Sequence, residues 1–247
     1  MRTEYDLIAS LGGNCTAAAH LRRRGMRPYS LPFDWLFMDT PQTIEYLAGA
    51  FPNRFSDFCL KENLVPIEKA GQGAAGTARY AYRDVISGYS FVHHFHDSIT
   101  TTGGYDKVSS MLKRRMDRFF QKIDSSNSIL FILSTAFDFP YKMADDLIAS
   151  LRRTYLEKHI DLYVVQHGMR FDDASTIAKK IIGHAFDGEV YDSSHSRPEW
   201  HFLDDVRMNG VTPKRIRGLD KIYYKIWKAL SKRFRDGGYA LDKISYR

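Results

Sequence analysis

Two short stretches of this 247-residue chain hold the residue types that nucleophilic catalysis needs. The first is Ser10-Leu-Gly-Gly-Asn-Cys15, where a thiol follows two glycines at the change from an apolar strand pattern to a helical one. Glycines take positive φ without strain and let a ligand approach the backbone closely. In an open parallel sheet, such a turn lies at the C-terminal edge of the strands, where ligands bind. A cysteine in the first helical turn sits at the positive end of the helix dipole, among unpaired N–H groups, and both favour the thiolate. The same helix-start N–H groups, after the Gly12-Gly13 turn that lets a ligand approach, can also hold an oxyanion, with the Asn14 side chain as a further donor. Two other readings fit the same residues. A free cysteine is often only a small buried hydrophobe, and a glycine turn before a helix can cradle phosphate. The segment lacks the Lys-Ser/Thr of a P-loop and the third glycine of a dinucleotide fingerprint.

The second stretch is Val92-His-His-Phe-His-Asp97. It closes a predicted strand, so alternation sends His93 and Phe95 to one face and His94 and His96 to the other. A cysteine nucleophile needs a base within hydrogen-bond reach, itself oriented by a third group. If this strand neighbours the first, His93, or failing it His94, can meet Cys15. Asp97, Asp34, Asp192, Asp204 and Asp205 are the candidate orienting acids. A metal reading competes: His94 and His96 with a carboxylate can hold zinc or iron, with His195 and His201 as further ligands. No second histidine–carboxylate motif accompanies them, so the expectation is no metal. His20, His159, His167 and His184 read as structural or solvated.

Arginines follow the cysteine. Arg22 and Arg23, with Arg24, can hold a phosphate, sulfate or carboxylate near the active edge, or form a solvated helix end. Pro32-Phe-Asp-Trp35 is a rigid aromatic turn in which Asp34 reads first as a hydrogen-bond hub. Lys113-Arg-Arg115 and Arg118 read as a solvent-facing helix side.

These residues must be carried by a scaffold. Apolar β-rich runs predict strands at Tyr5–Leu11, Ser128–Leu133 and Ile160–Val165, with a fourth near Gly88–His93. Helical spacing predicts helices over Thr16–Arg24, Lys107–Ile123, Tyr141–Leu156 and Lys214–Phe234. Strand and helix alternate as right-handed βαβ crossovers require. The expected fold is α/β, a three-layer Rossmann-like sandwich with a mainly parallel sheet. All of 1–247 forms a single domain, in which 26–84, proline-rich and then glycine-rich at 70–76, is an irregular insertion after the first helix.

Composition bounds the class. With 44% hydrophobic and 26% charged residues the chain can build an ordinary core. Two cysteines make no disulfide framework and no cysteine-built zinc site. No apolar run is long enough to cross a bilayer, and no signal architecture opens the sequence, so the expected location is cytoplasmic. The net charge of +7 suits an anionic partner, but the basic residues are scattered, which favours an ordinary basic surface. The basic, aromatic stretch 214–235 can lie on an anionic membrane surface, peripheral at the inner membrane, or pack on the sheet. No nucleic-acid-binding grammar is present.

Ser10-Leu-Gly-Gly-Asn-Cys15, Leu21-Arg-Arg23, Pro32-Phe-Asp-Trp35, His93-His-Phe95 and Lys113-Arg-Arg115 together resemble a bacterial family of unknown function described as papain-like cysteine peptidases. The likeness covers about the first half of the chain. It implies Cys15 as nucleophile and His93 as base. The strand-first order differs from papain and is similar to SGNH-type serine hydrolases with cysteine in place of serine. A group of capsule-polysaccharide acyltransferases is similar in the same way. The resemblance therefore implies a cysteine hydrolase acting on a small-molecule, peptide or glycan substrate, with no cofactor required. The alternative it implies is an acyltransferase of surface-polysaccharide biosynthesis that takes coenzyme A as acyl donor. From another class, a non-catalytic module could use the glycine turn and Arg22–Arg24 to bind an anionic ligand.

Overall fold

Continuous apolar runs are buried on both faces when they form parallel strands, and the three strongest runs do so. The structure, a computed structural model, describes residues 4–13, 15–38, 41–67, 80–135, 141–166, 200, 203 and 206–211. In it β2 (Leu7–Ser10), β7 (Ser128–Thr135) and β8 (His159–Gln166) make a three-stranded parallel sheet in the order β2-β7-β8. All eight residues of β7 are buried. Alternation sorts them: Ile129, Phe131 and Leu133 enter one core, Leu130 and Ile132 the other. A short β1 (Glu4–Tyr5) pairs in parallel with β9 (Arg207–Met208).

Helices cover both faces. On one lie α2 (Gln42–Ala50), α3 (Gly104–Asp124) and α4 (Tyr141–Thr154), through Ile44 and Leu47, Phe119 and Phe120, and Leu147 and Leu151. Each such apolar side chain, fully buried, contributes about 1.5–3 kcal/mol. On the other face lies α1 (Cys15–Arg23), through Ala17 and Leu21, beside Trp200 and Leu203. Gly25 ends α1 at φ 75°, with Met26 N–H donating to Leu21 O and Gly25 N–H to Arg22 O. This is the Schellman pattern, and Leu21 and Met26 supply its apolar contact.

The stretch 26–84, expected as an irregular insertion, contains regular elements among its described residues. It provides α2, β3 (Phe37–Met38), a 3₁₀ turn at Lys61–Asn63, β4 (Leu64–Pro66) and β5 (Tyr80–Asp84). With β6 (Tyr89–Phe95) these strands form a four-stranded antiparallel sheet, β3-β6-β5-β4. Among the described strands, β2-β7-β8 and the β1-β9 pair are parallel, and the predicted fourth strand, β6, is antiparallel. A parallel bridge from Gly13 to Phe37 joins the two sheets, so β3 stands between β2 and β6. The Tyr89 hydroxyl closes the same seam by donating to Leu11 O. The 70–76 loop and the expected helix over 214–234 lie outside the described residues.

Candidate active site

The turn that follows β2 is built around two glycines with positive φ, 90° at Gly12 and 108° at Gly13. Gly12 N–H donates to Ser10 Oγ at 3.0 Å. Gly12 O accepts from Ser134 N–H at 3.1 Å, and Gly13 O accepts from Met38 N–H at 3.2 Å. The turn is therefore gripped by β7 on one side and β3 on the other. A β-carbon on Gly13 would fall 1.3 Å from the Ser134 carbonyl oxygen, so only glycine fits. The chain then enters α1 at Cys15, with no acidic residue in the first turn to oppose a thiolate. Cys15 is 2% exposed. Asn14 lies outside the described residues.

His93 reaches the same face of the sheet by way of a bulge. Phe91 pairs with Tyr82 and Phe95 with Tyr80, so three residues of β6 stand opposite Ala81 alone. A bulge re-aims side chains, and here it breaks the predicted alternation. His93 is exposed, whereas His94 and Phe95 are both buried and His96 is exposed. Leu36, just before β3, and Met38 belong to the core under α2–α4, so alternation turns Phe37 between them to the opposite side. The His93 ring packs on Phe37 with centroids 5.7 Å apart. His93 thus stands over β3, the strand next to the Cys15 turn.

His94 faces the other way, against Phe91 at 5.6 Å between ring centroids. Burial, with smaller contributions from Arg115 and His93, pushes its imidazole down to about 3, so it is neutral near pH 7. His94 is buried whereas His96, past the end of β6, is exposed, unlike the shared face expected for the metal reading. Among the described residues no group of three His, Cys, Asp or Glu could hold a metal ion. His195 and His201 lie outside them.

The candidate orienting acids separate. Asp34 is 1% exposed, and its Oδ2 accepts from Arg27 Nε at 2.6 Å and from Leu31 N–H at 2.7 Å. It is the hub of the Pro-Phe-Asp-Trp turn, and Arg27 also lies over the Trp35 ring. Burial pushes the Asp34 carboxyl up, against the pull of Arg27. Asp97 is exposed and pairs with Lys107 at 3.2 Å. Asp192, Asp204 and Asp205 lie outside the described residues.

Arg22 and Arg23 are exposed at the far end of α1. Seven and eight residues at 1.5 Å each carry them about 10–12 Å along the axis from Cys15. They are therefore not at the thiol's edge. Arg24 is buried, with Nη1 3.2 Å from His20 Nδ1, and the His20 ring stacks on Trp200 at 4.6 Å.

The α3 arginines were expected in solvent, yet Arg115 and Arg118 are half-buried. Arg118 Nη1 donates to Ser30 O at 3.0 Å and its guanidinium lies over Tyr29. A signal for this exists in the sequence: Val108, Leu112, Arg115 and Phe119 recur at helical spacing, so Arg115 occupies a core-stripe position. Phe37 was missed because a two-residue strand leaves no periodic trace.

Comparison with known proteins adds a family. A family model described as "Putative papain-like cysteine peptidase", a domain of unknown function, matches residues 6–163. An uncharacterized protein of Acanthamoeba polyphaga mimivirus is 30% identical over 135 residues, which is 51% of this chain and 60% of that protein. The chain thus spans about 60% of that relative's length. The relative is viral, so it carries nothing of the bacterial setting expected above. No solved structure matches the chain.

Proposed function

From the premise that this chain belongs to the family of unknown function described as "Putative papain-like cysteine peptidase", we propose that it is a cysteine-dependent hydrolase with Cys15 as nucleophile and His93 as base. The observation that carries this reading is the packing of His93 on Phe37, the residue that Gly13 bridges two positions before Cys15. Backbone pairing across β3 fixes the histidine relative to the thiol's turn. The His-x-Phe element lies on β6 and the Gly-x-Asn-Cys element follows β2, with the short strand β3 between them.

In the reaction, His93 takes the Cys15 proton and the sulfur attacks a carbonyl carbon. N–H groups of the first turn of α1 receive the developing oxyanion, at the positive end of the dipole. Collapse expels the leaving group, which takes its proton from His93, and leaves a thioester on Cys15. Water, deprotonated by His93, then releases the acid and restores the thiol. An amine or hydroxyl acceptor in place of water would make the second step a transfer. Because Cys15 is 2% exposed, attack needs the first turn of α1 to open to substrate.

The test is hydrolysis of a panel of peptides, aryl esters and thioesters by the native chain and by Cys15→Ala and His93→Ala. Both substitutions should lower turnover by at least about 10³-fold with the circular dichroism spectrum unchanged. Undiminished turnover in Cys15→Ala removes the proposal.

A further inference from the structure

A carbonyl at the end of a buried strand has lost water and needs a donor. The three carbonyls that lead toward the cysteine helix find donors on three different strands. Gly12 O accepts from the Ser134 N–H of β7 and Gly13 O from the Met38 N–H of β3, both backbone groups. Leu11 O accepts from a side chain, the Tyr89 hydroxyl of β6, at 2.5 Å. Tyr89 is fully buried, and burial pushes its phenol well above the ordinary value, so it stays a donor at neutral pH. The ring is held as firmly as the hydroxyl. It stacks on Phe33 with centroids 5.5 Å apart and meets the Phe58 ring at 5.9 Å. Its edge lies 2.9 Å from the place a β-carbon on Gly12 would occupy, so Tyr89 stands directly against the glycine turn.

His93 stands four residues further along the same strand. β6 is therefore tied to the cysteine segment twice. One tie runs from His93 through Phe37 to Gly13, by way of a strand of only two residues. The other runs from Tyr89 to Leu11 with no strand between. One tie is a pivot, whereas two at different points fix an orientation. We propose that Tyr89 is a positioning residue for the cysteine chemistry: through Leu11, its hydroxyl holds the turn that carries Cys15 in register with His93. This rests on the reading of Cys15 and His93 as nucleophile and base, and adds the group that keeps them matched. The role matters because the coupling is short-ranged. A cationic imidazole lowers a thiol when it lies within about 4–6 Å, and a misplacement of about 1 Å at a reacting pair can cost about 10²-fold in rate. Without the hydroxyl, Leu11 O loses this donor and the turn gains freedom to shift, while the core around the ring stays packed.

The experiment is iodoacetamide labelling of Cys15 in the full chain from pH 5 to 9, read by mass spectrometry, in the native protein, His93→Gln, Tyr89→Phe and Tyr82→Phe. The midpoint of the profile follows the thiolate fraction, so it separates ionisation from access. Tyr82 is the control. It is buried too, and its hydroxyl accepts from Ile99 N–H at 3.2 Å, but it sits on β5, one strand further out. Both tyrosine variants thus lose a hydrogen bond from a packed ring. Tyr89→Phe should move the Cys15 midpoint upward, toward that of His93→Gln, by about half a pH unit or more. Tyr82→Phe should leave it in place. 4-Aminophenylalanine in place of Tyr89 restores a donor and should return the midpoint to its native value. If Tyr89→Phe does not fold, 4-fluorophenylalanine at that position, which fills the place of the hydroxyl and cannot donate, carries the same expectation. A native midpoint in the Tyr89 variant beside a shifted one in His93→Gln overturns the positioning role and leaves the nucleophile–base reading standing. Equal shifts in the Tyr89 and Tyr82 variants overturn it as a general loosening of the fold. A midpoint indifferent to His93→Gln removes the reading, and this role with it.

Discussion

Replacing Gly13 with alanine tests whether the Cys15 turn is as tightly held as its contacts imply. The substitution meets two obstacles. At φ 108° an L side chain is strained, at a cost of about 1–2 kcal/mol. The new carbon would also lie 1.3 Å from the Ser134 carbonyl oxygen. Ordinary contact is about 3.5 Å, so the end of β7 and the turn must part by roughly 2 Å. That motion breaks the Ser134-to-Gly12 hydrogen bond and adds overpacking of about 1–3 kcal/mol. The expected loss is about 3–5 kcal/mol, among the severe single substitutions. Two other glycines calibrate it. A β-carbon on Gly12, at φ 90°, meets the Tyr89 ring at 2.9 Å, and a ring edge can yield. One on Gly103, at φ 73°, meets nothing within 4 Å and tests φ alone. Urea unfolding should rank the losses Gly103→Ala, about 1 kcal/mol, then Gly12→Ala, then Gly13→Ala. A Gly13→Ala loss no larger than that of Gly103→Ala would refute the claim that β7 and β3 clamp this turn.

Two further outcomes follow from the same structure. His94 holds its imidazole at about 3 when folded against about 6.5 when unfolded. The unfolded chain therefore binds the extra proton, and His94 lowers stability as pH falls below about 6.5. The slope approaches about 1.4 kcal/mol per pH unit between roughly pH 6 and 4. Denaturation in acetate and MES buffers should show that component of the slope in the native chain and its loss in His94→Phe; equal slopes would contradict the assignment. Gly49 is exposed inside α2, and a β-carbon there meets nothing within 4 Å. Gly49→Ala should therefore raise stability by about 0.5–1 kcal/mol in the same assay, and destabilisation would show that α2 is not helical at that position.

What the sequence revealed depended on the length of each signal. β7, β8, α1, α3 and α4 are long, and the residue patterns gave each of them close to its observed bounds, whereas β2 keeps only Leu7–Ser10 of the predicted Tyr5–Leu11. The antiparallel sheet was hidden, because β3 has two residues and β4 three, too few for alternation to register. α2 was passed over although Thr43, Ile44 and Leu47 mark its buried side, since prolines on both flanks read as irregular chain. At the site, the glycine turn and the Asp34 hub were legible from local chemistry. The faces of His93 and His94 were not, because a bulge is set by cross-strand pairing with Tyr80 and Tyr82, which the residue pattern of β6 alone does not carry. The arginines after Cys15 were misplaced by proximity in sequence, which a helix converts into distance. Asp84 drew no notice as an isolated acid. It is fully buried and accepts from the N–H groups of Cys59, Ile86 and Ser87, a role visible only once the strands are assembled.

The two cysteines offer the most direct measurement. Cys15 and Cys59 are 2% and 3% exposed, so burial alone protects both alike. Their surroundings differ: desolvation and Asp84 push the Cys59 thiol up, whereas Cys15 opens a helix on the sheet face that carries His93. Iodoacetamide labelling of each site, followed by mass spectrometry from pH 5 to 9, separates ionisation from access. The account predicts that Cys15 reacts at least about tenfold faster than Cys59 at pH 6, and that His93→Gln moves the Cys15 midpoint upward by a pH unit or more. Equal, slow labelling of the two thiols, or a Cys15 profile indifferent to His93, would contradict it.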